Sequence, residues 1–284
     1  MPVEITDQES YDGPIPEDTY RVLLTGFAPF GKYKENNSWL AVAPLNSQLL
    51  TLDVPDVEDY MEEDIDPESP ENPNDFFHPP RHIHISSILL PVAYSGVVEL
   101  VPPLHARPPV ILPTLRHPNH PLAPPPESGY DLIFHVGLAG RGGLRVERLG
   151  HKTGYRMKDS IGEQAPIPAH VALQEPARGF GGEAYKGMAD DLYTGLDVER
   201  LVHDLKAMGL QDVYSSMDAG HFVCDYTYYC SLAETKRTAQ NNTKGKHTKV
   251  LFMHCPPANQ PFPTEEVTET IKKMIVWVSQ QQDE

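Results

Sequence analysis

The stretch DLIFHVGLAGRGGLRVERLG, residues 131–150, decides how the rest of this chain is read. Its first part, DLIFHVG, is a short and largely apolar run bounded by Asp131 and Gly137, the signature of a buried strand. Its second part is a glycine-rich loop that leads to Glu147. Three more strand-like runs occur, RVLLTG (21–26), DVYSS (212–216) and KVLFMH (249–254), with a weaker one, RHIHISSILLP, at 81–91. Helical patterns alternate with them. Asp197 opens DVERLVHDLKAMG, with Val198, Leu201, Val202, Leu205 and Met208 at helical spacing and Gly209 as the stop. Thr264 opens a C-terminal helix with Glu265 and Glu266 in its first turn and a stripe of Val267, Ile271, Met274, Ile275 and Val278. Such alternation predicts an α/β fold whose mostly parallel sheet is covered on both faces.

Composition narrows the class. The chain has 284 residues, enough for a core that needs no disulfide staples. No run of eighteen apolar residues is present, so no membrane span is expected. The acidic N-terminus lacks the apolar core of a secretory signal, and three cysteines do not make a disulfide framework. A reducing, cytoplasmic setting is the expectation. Net charge is −17 and no basic stripe is visible, which argues against a nucleic-acid partner. Residues 1–20 read as a disordered tail, and 21–284 as one domain with two insertions. One insertion, about 51–80, carries eleven acids and no Lys or Arg between Asp53 and Asp75, and is expected to be solvated and disordered. The other, 107–129, is too proline-rich for a helix or a central strand and is likewise expected to be disordered.

Unusual residues follow each strand: GFAPFG after the first, the glycine loop and Glu147 after 131–137, MDAGHFVCDYTYY after 212–216, and CPP after His254. Open parallel sheets bind ligands beyond the carboxyl ends of their strands, so these segments are expected to meet at one edge. Cys224, just past Gly220 and at the start of a helix, reads as an apolar filler, a metal ligand or a nucleophile. With a His and an acid at the same edge it suits nucleophilic catalysis, because a helix N-terminus lowers a thiol pKa and offers N–H groups to an oxyanion. Cys230 reads as core filler. Cys255 points to the face opposite His254 while the strand continues. The pairs His82/His84 and His117/His120 lack a carboxylate or Cys partner at metal-binding spacing, so no metal is expected.

These segments, in order, resemble the pyroglutamyl peptidase I family of cysteine peptidases. VLLTGFAPFG is similar to its opening strand and turn, and Asn36-Asn37-Ser38-Trp39 to the Asn-Pro-Ser-Trp that follows. HVGLAGRGGLRVERLG resembles its glycine loop and catalytic Glu segment, DAGHFVCDYTYY its nucleophile segment and FMHCPP its His segment. The resemblance implies a three-layer α/β/α sandwich, no cofactor, and peptides with N-terminal pyroglutamate as substrates. It implies Cys224 as nucleophile, His254 as general base and acid, and Glu147 as the group that orients the His. Phe27, Phe30, Phe222 and Val223 would surround the substrate ring, and Arg156 would support the oxyanion. Leu138 stands where bacterial members have Gln. Two rival readings remain: another cysteine amidase on the same scaffold, or a catalytically silent binding homologue.

Overall fold

The strand-like runs of the sequence become the middle of a twisted eight-stranded sheet. In the computed structural model, which describes residues 5–8, 11–53, 81–140, 142–168, 177–241 and 247–281, the strands are β1 (Ile5–Gln8), β2 (Tyr20–Phe27), β3 (Leu49–Leu52), β4 (His82–Leu90), β5 (Leu132–Leu138), β6 (Leu144–Glu147), β7 (Leu149–His151), β8 (Asp191–Tyr193), β9 (Val213–Ser216) and β10 (Lys249–Cys255). The helices are α1 (Asn37–Val42), α2 (Tyr94–Leu104), α3 (Val198–Ala207), α4 (Val223–Asn241) and α5 (Thr264–Ser279). The main sheet runs β1-β3-β4-β2-β5-β10-β6-β9, and β7 and β8 form a separate hairpin. The four central strands β4, β2, β5 and β10 are parallel to one another. Covered on both faces, β5 is buried along its whole length, which is why its sequence does not alternate.

Each face has its own core. Leu251, Met253 and Cys255 of β10 face a cluster with Val42 of α1, Leu201 of α3 and Ile271 of α5. Val250 and Phe252 face the other, with Val97 and Val101 of α2 and Tyr226 and Tyr229 of α4. The result is the expected three-layer α/β/α sandwich. The α3 stripe read from sequence is buried at Val198, Leu201, Val202 and Leu205, and Asp197 caps the helix by accepting from the Arg200 N–H at 3.0 Å.

Three features depart from expectation. Within the segment read as a disordered tail, Ile5–Gln8 forms β1 and pairs antiparallel with β3. The proline-rich 107–129 segment is ordered rather than disordered. Ile111 and Leu115 are buried in the second core, and carbonyls of Pro121 and Pro124 accept from Asn46 and Arg21 side chains. Apolar anchors between the prolines supply the burial that composition alone conceals. Most of the acidic insertion lies outside the described residues. The third departure bears on the site. β6 runs antiparallel to β10, and β9 is parallel to β6, so β9 does not end at the carboxyl edge of the central strands.

Candidate active site

The site is assembled at the ends of β5 and β10. His254 is the Cα partner of Gly137 on one side and of Arg145 on the other. Glu147 pairs with Phe252, one step down the same face of the sheet. That diagonal brings the Glu147 Oε1 to 2.7 Å from His254 Nδ1. Glu147 is fully buried and His254 nearly so. The Tyr228 hydroxyl donates to the Glu147 carbonyl at 2.9 Å, and the Phe252 ring lies 4.9 Å from the imidazole. With Nδ1 engaged by the carboxylate, Nε2 is the nitrogen left for proton transfer.

Cys224 reaches the same spot by another route. The loop after β9 turns at Gly220 (φ 94°), a left-handed conformation that glycine adopts without strain, and at His221 (φ 45°), and then starts α4 at Val223. Cys224 packs on the core that holds Phe252, the face that His254 shares by strand alternation. A Cβ at Gly137 would lie 2.9 Å from the Cys224 Sγ. Glycine at this position therefore lets the thiol approach β5 beside the strand position of His254. The convergence expected from parallel strand ends thus arises differently for Cys224: a return loop, not a strand end, delivers it.

Helix geometry leaves the Val223, Cys224 and Asp225 N–H groups without intrahelical acceptors, and the first i to i−4 bond is Tyr226 N–H to Phe222 carbonyl at 2.9 Å. The helix start was expected to lower the thiol pKa. Instead burial pushes the Cys224 thiol up, and the nearby Asp225, Glu147 and Cys255 act in the same direction. The thiol therefore rests protonated and needs a base to become a nucleophile.

The other candidates are placed as follows. Phe30 and Phe222, both half-buried, have ring centroids 6.2 Å apart, and Tyr94 extends this aromatic wall at 6.1 Å from Phe222. Phe27 lies deeper, fully buried with its ring 6.4 Å from Phe252. Val223 is fully buried in the first turn of α4. Arg156 is exposed; its carbonyl accepts from the Gln164 side chain at 3.0 Å. Leu138 is buried at the end of β5 opposite Cys255. Cys230 is buried with its Sγ 3.4 Å from the Tyr185 hydroxyl, and Cys255 faces the opposite core. No sequence signal marks Tyr94, because Pro102 and Pro103 interrupt the helical pattern of its segment.

A three-layer α/β/α fold with Cys, His and Glu gathered at the ends of its central strands has the form of a cysteine hydrolase. The family model for pyroglutamyl peptidase matches residues 126–270, and the chain belongs to that family of cysteine peptidases. Pyroglutamyl-peptidase 1 of Homo sapiens is 24% identical over 256 residues, covering 89% of this chain and 87% of that protein. A human pyroglutamyl-peptidase 1-like protein is 28% identical over 148 residues, 51% of this chain and 61% of that one. Among solved structures, Bacillus amyloliquefaciens pyroglutamyl peptidase I superposes with a TM-score of 0.58 at 22% identity, over 93% of this chain and 99% of that one. A mutant pyrrolidone carboxyl peptidase from Pyrococcus furiosus gives 0.56 at 19% identity, over 92% of this chain and 100% of that one. No described helix is long and apolar enough to cross a membrane.

Proposed function

We propose that this chain removes the N-terminal pyroglutamyl residue from peptides through a thioester at Cys224. In this reading His254 Nε2 takes the thiol proton as Sγ attacks the pyroglutamyl carbonyl carbon. The first-turn N–H groups of α4 receive the oxyanion. The C–N bond breaks as His254 returns the proton to the departing amine. Water, deprotonated by His254, then attacks the thioester and releases pyroglutamate and the free thiol. Glu147 fixes the imidazole tautomer and stabilises the imidazolium. The observation that carries the reading is the 2.7 Å Glu147–His254 pair on the sheet face against which Cys224 packs.

The flat lactam suits the Phe30–Phe222 wall, and partners for its ring carbonyl would exclude proline, which lacks that group. The free state of Cys224, Cys230 and Cys255 suits a reducing, cytoplasmic compartment. The test is release of a fluorogenic amine from the pyroglutamyl amide beside its prolyl and glutaminyl analogues. Turnover of the pyroglutamyl compound alone, with the others lower by roughly 10³-fold or more, is expected. Equal turnover of a prolyl or glutaminyl amide, or no turnover at all, overturns the proposal.

A further inference from the structure

A second group of chemically active side chains lies at the N-terminal end of α4, outside the Cys–His–Glu arrangement. His151 ends β7, Asp218 and His221 belong to the loop before α4, and Asp225 lies in the first turn of that helix. One donor atom from each of the four lies within 4.8 Å of the others. His151 Nδ1 is 2.8 Å from Asp225 Oδ2, and His221 Nδ1 is 3.6 Å from the same oxygen. Donor pairs around a tetrahedral zinc ion are spaced by about 3.3 Å, given metal–donor distances near ~2.0 Å. These two pairs bracket that spacing, and Asp218 is exposed on the loop that leads to His221.

Two observations point to a ligand rather than to a closed hydrogen-bond network. His221 Nδ1 is buried and has no hydrogen-bond partner, although it faces a carboxylate oxygen. The two imidazoles lie 4.2 Å apart, centroid to centroid, over one shared carboxylate. A cation between them would use both nitrogens at once. The surroundings are already organised for such a role. Asp225 is fully buried and its Oδ1 accepts from the His151 N–H at 2.9 Å, while Asp218 accepts from the Gly220 N–H at 2.8 Å. A mixed imidazole and carboxylate set suits zinc among the abundant divalent ions and disfavours magnesium or calcium.

We propose that His151, Asp218, His221 and Asp225 form a zinc-binding site that ties the loop before Cys224 to the β7–β8 hairpin. The site is separate from the peptidase reaction. It is a structural or regulatory centre, with the nucleophile one residue from a ligand.

The test uses Zn²⁺ itself on the full chain carrying Cys224→Ala, so that the nucleophilic thiol cannot supply the binding. Expected are one zinc ion per chain by equilibrium dialysis, and a rise in Tm with added Zn²⁺, because an ion that binds only the folded state stabilises it by mass action. Adding His221→Asn, or Asp218→Asn, to the same chain should weaken binding by about tenfold or more and remove the Tm rise. Co²⁺ in place of zinc should give ligand-field bands without a thiolate charge-transfer band. The proposal is overturned if Cys224→Ala alone abolishes zinc binding, since the metal was then a thiol adduct. It is equally overturned if zinc binds as tightly in both added variants, since it then sits elsewhere, for instance at His117 and His120.

Discussion

Two acid–histidine groups approach Cys224, and they are built in opposite ways. Glu147 and His254 sit on adjacent strands, one carboxylate to one imidazole, both almost sealed from solvent. Asp225 serves two imidazoles, joins a helix start to a loop and a hairpin, and leaves both rings part-exposed. Strand pairing fixes the first pair to within a hydrogen bond and leaves only Nε2 for chemistry. The second group keeps a buried carboxylate but has more donors than one proton can satisfy. One arrangement suits moving a proton along a fixed line; the other suits gripping an ion.

The largest effects should come from breaking the deep pair. Cys224→Ala should abolish turnover of a pyroglutamyl amide. His254→Ala and Glu147→Gln should each lower kcat by roughly 10²-fold or more, the scale of a positioned acid–base partner. The double variant should be little worse than the worse single one, because residues acting as a unit are not additive. Steady-state kinetics on the three proteins decides it. A Glu147→Gln enzyme close to the native rate would leave at most a Cys–His dyad.

Histidines with no carboxylate partner give the comparison a third term. His105 bonds the Ser231 hydroxyl at 2.8 Å, and His135 bonds the Thr25 hydroxyl at 2.7 Å. Burial pushes both pKa values down to about 3, helped for His105 by Arg107 and for His135 by His105. By contrast, the hydrogen bond to Asp225 holds His151 above its ordinary value. A histidine depressed in the folded state takes up its proton only on unfolding, so stability is full above the unfolded pKa of about 6.5 and falls as pH drops toward the folded value. Linkage puts the loss at about 2 kcal/mol for each of these residues by pH 5. Thermal melts from pH 7 to 5 should show the native protein losing more stability than His135→Gln by about that amount. Parallel curves for the two proteins would show that His135 is not held neutral.

Much of this architecture can be read along the chain, and the exceptions have physical causes. β2, β5 and β10 are legible because strands buried on both faces need continuous apolar runs. α3 and α5 are legible because amphipathic helices need a 3.6-residue stripe. α2 is hidden by Pro102 and Pro103, which its last turn accommodates. The reversed direction of β6 and β9 is a matter of pairing, which no local pattern encodes. Glu147, Cys224 and His254 can be picked out through a resemblance spread over ordered segments, whereas the rim cluster cannot. Asp218, His221 and Asp225 do share a D-x-x-H-x-x-x-D spacing, but His151 joins them only through tertiary structure, 67 residues before Asp218. Histidine pairs that are close in sequence misdirect attention. His82 bonds Thr51, and His117 and His120 face one another across a turn beside Trp39.

The smallest expected effect lies at the rim, and its sign matters more than its size. His221 holds φ at 45°, a left-handed conformation that costs a side chain with a Cβ roughly 1–2 kcal/mol and that asparagine and glycine tolerate better. Its side chain is 42% exposed and contributes no hydrogen bond through Nδ1. In metal-free buffer, His221→Asn should therefore leave Tm unchanged or raise it by a few degrees, since relief of strain offsets the lost ring contacts with His151 and Tyr155. A residue kept in a strained position without stabilising the fold in metal-free buffer is one whose side chain serves something else. If Tm instead falls by several degrees without metal, the imidazole is part of the packing, and the rim is as firmly built as the Glu147–His254 pair.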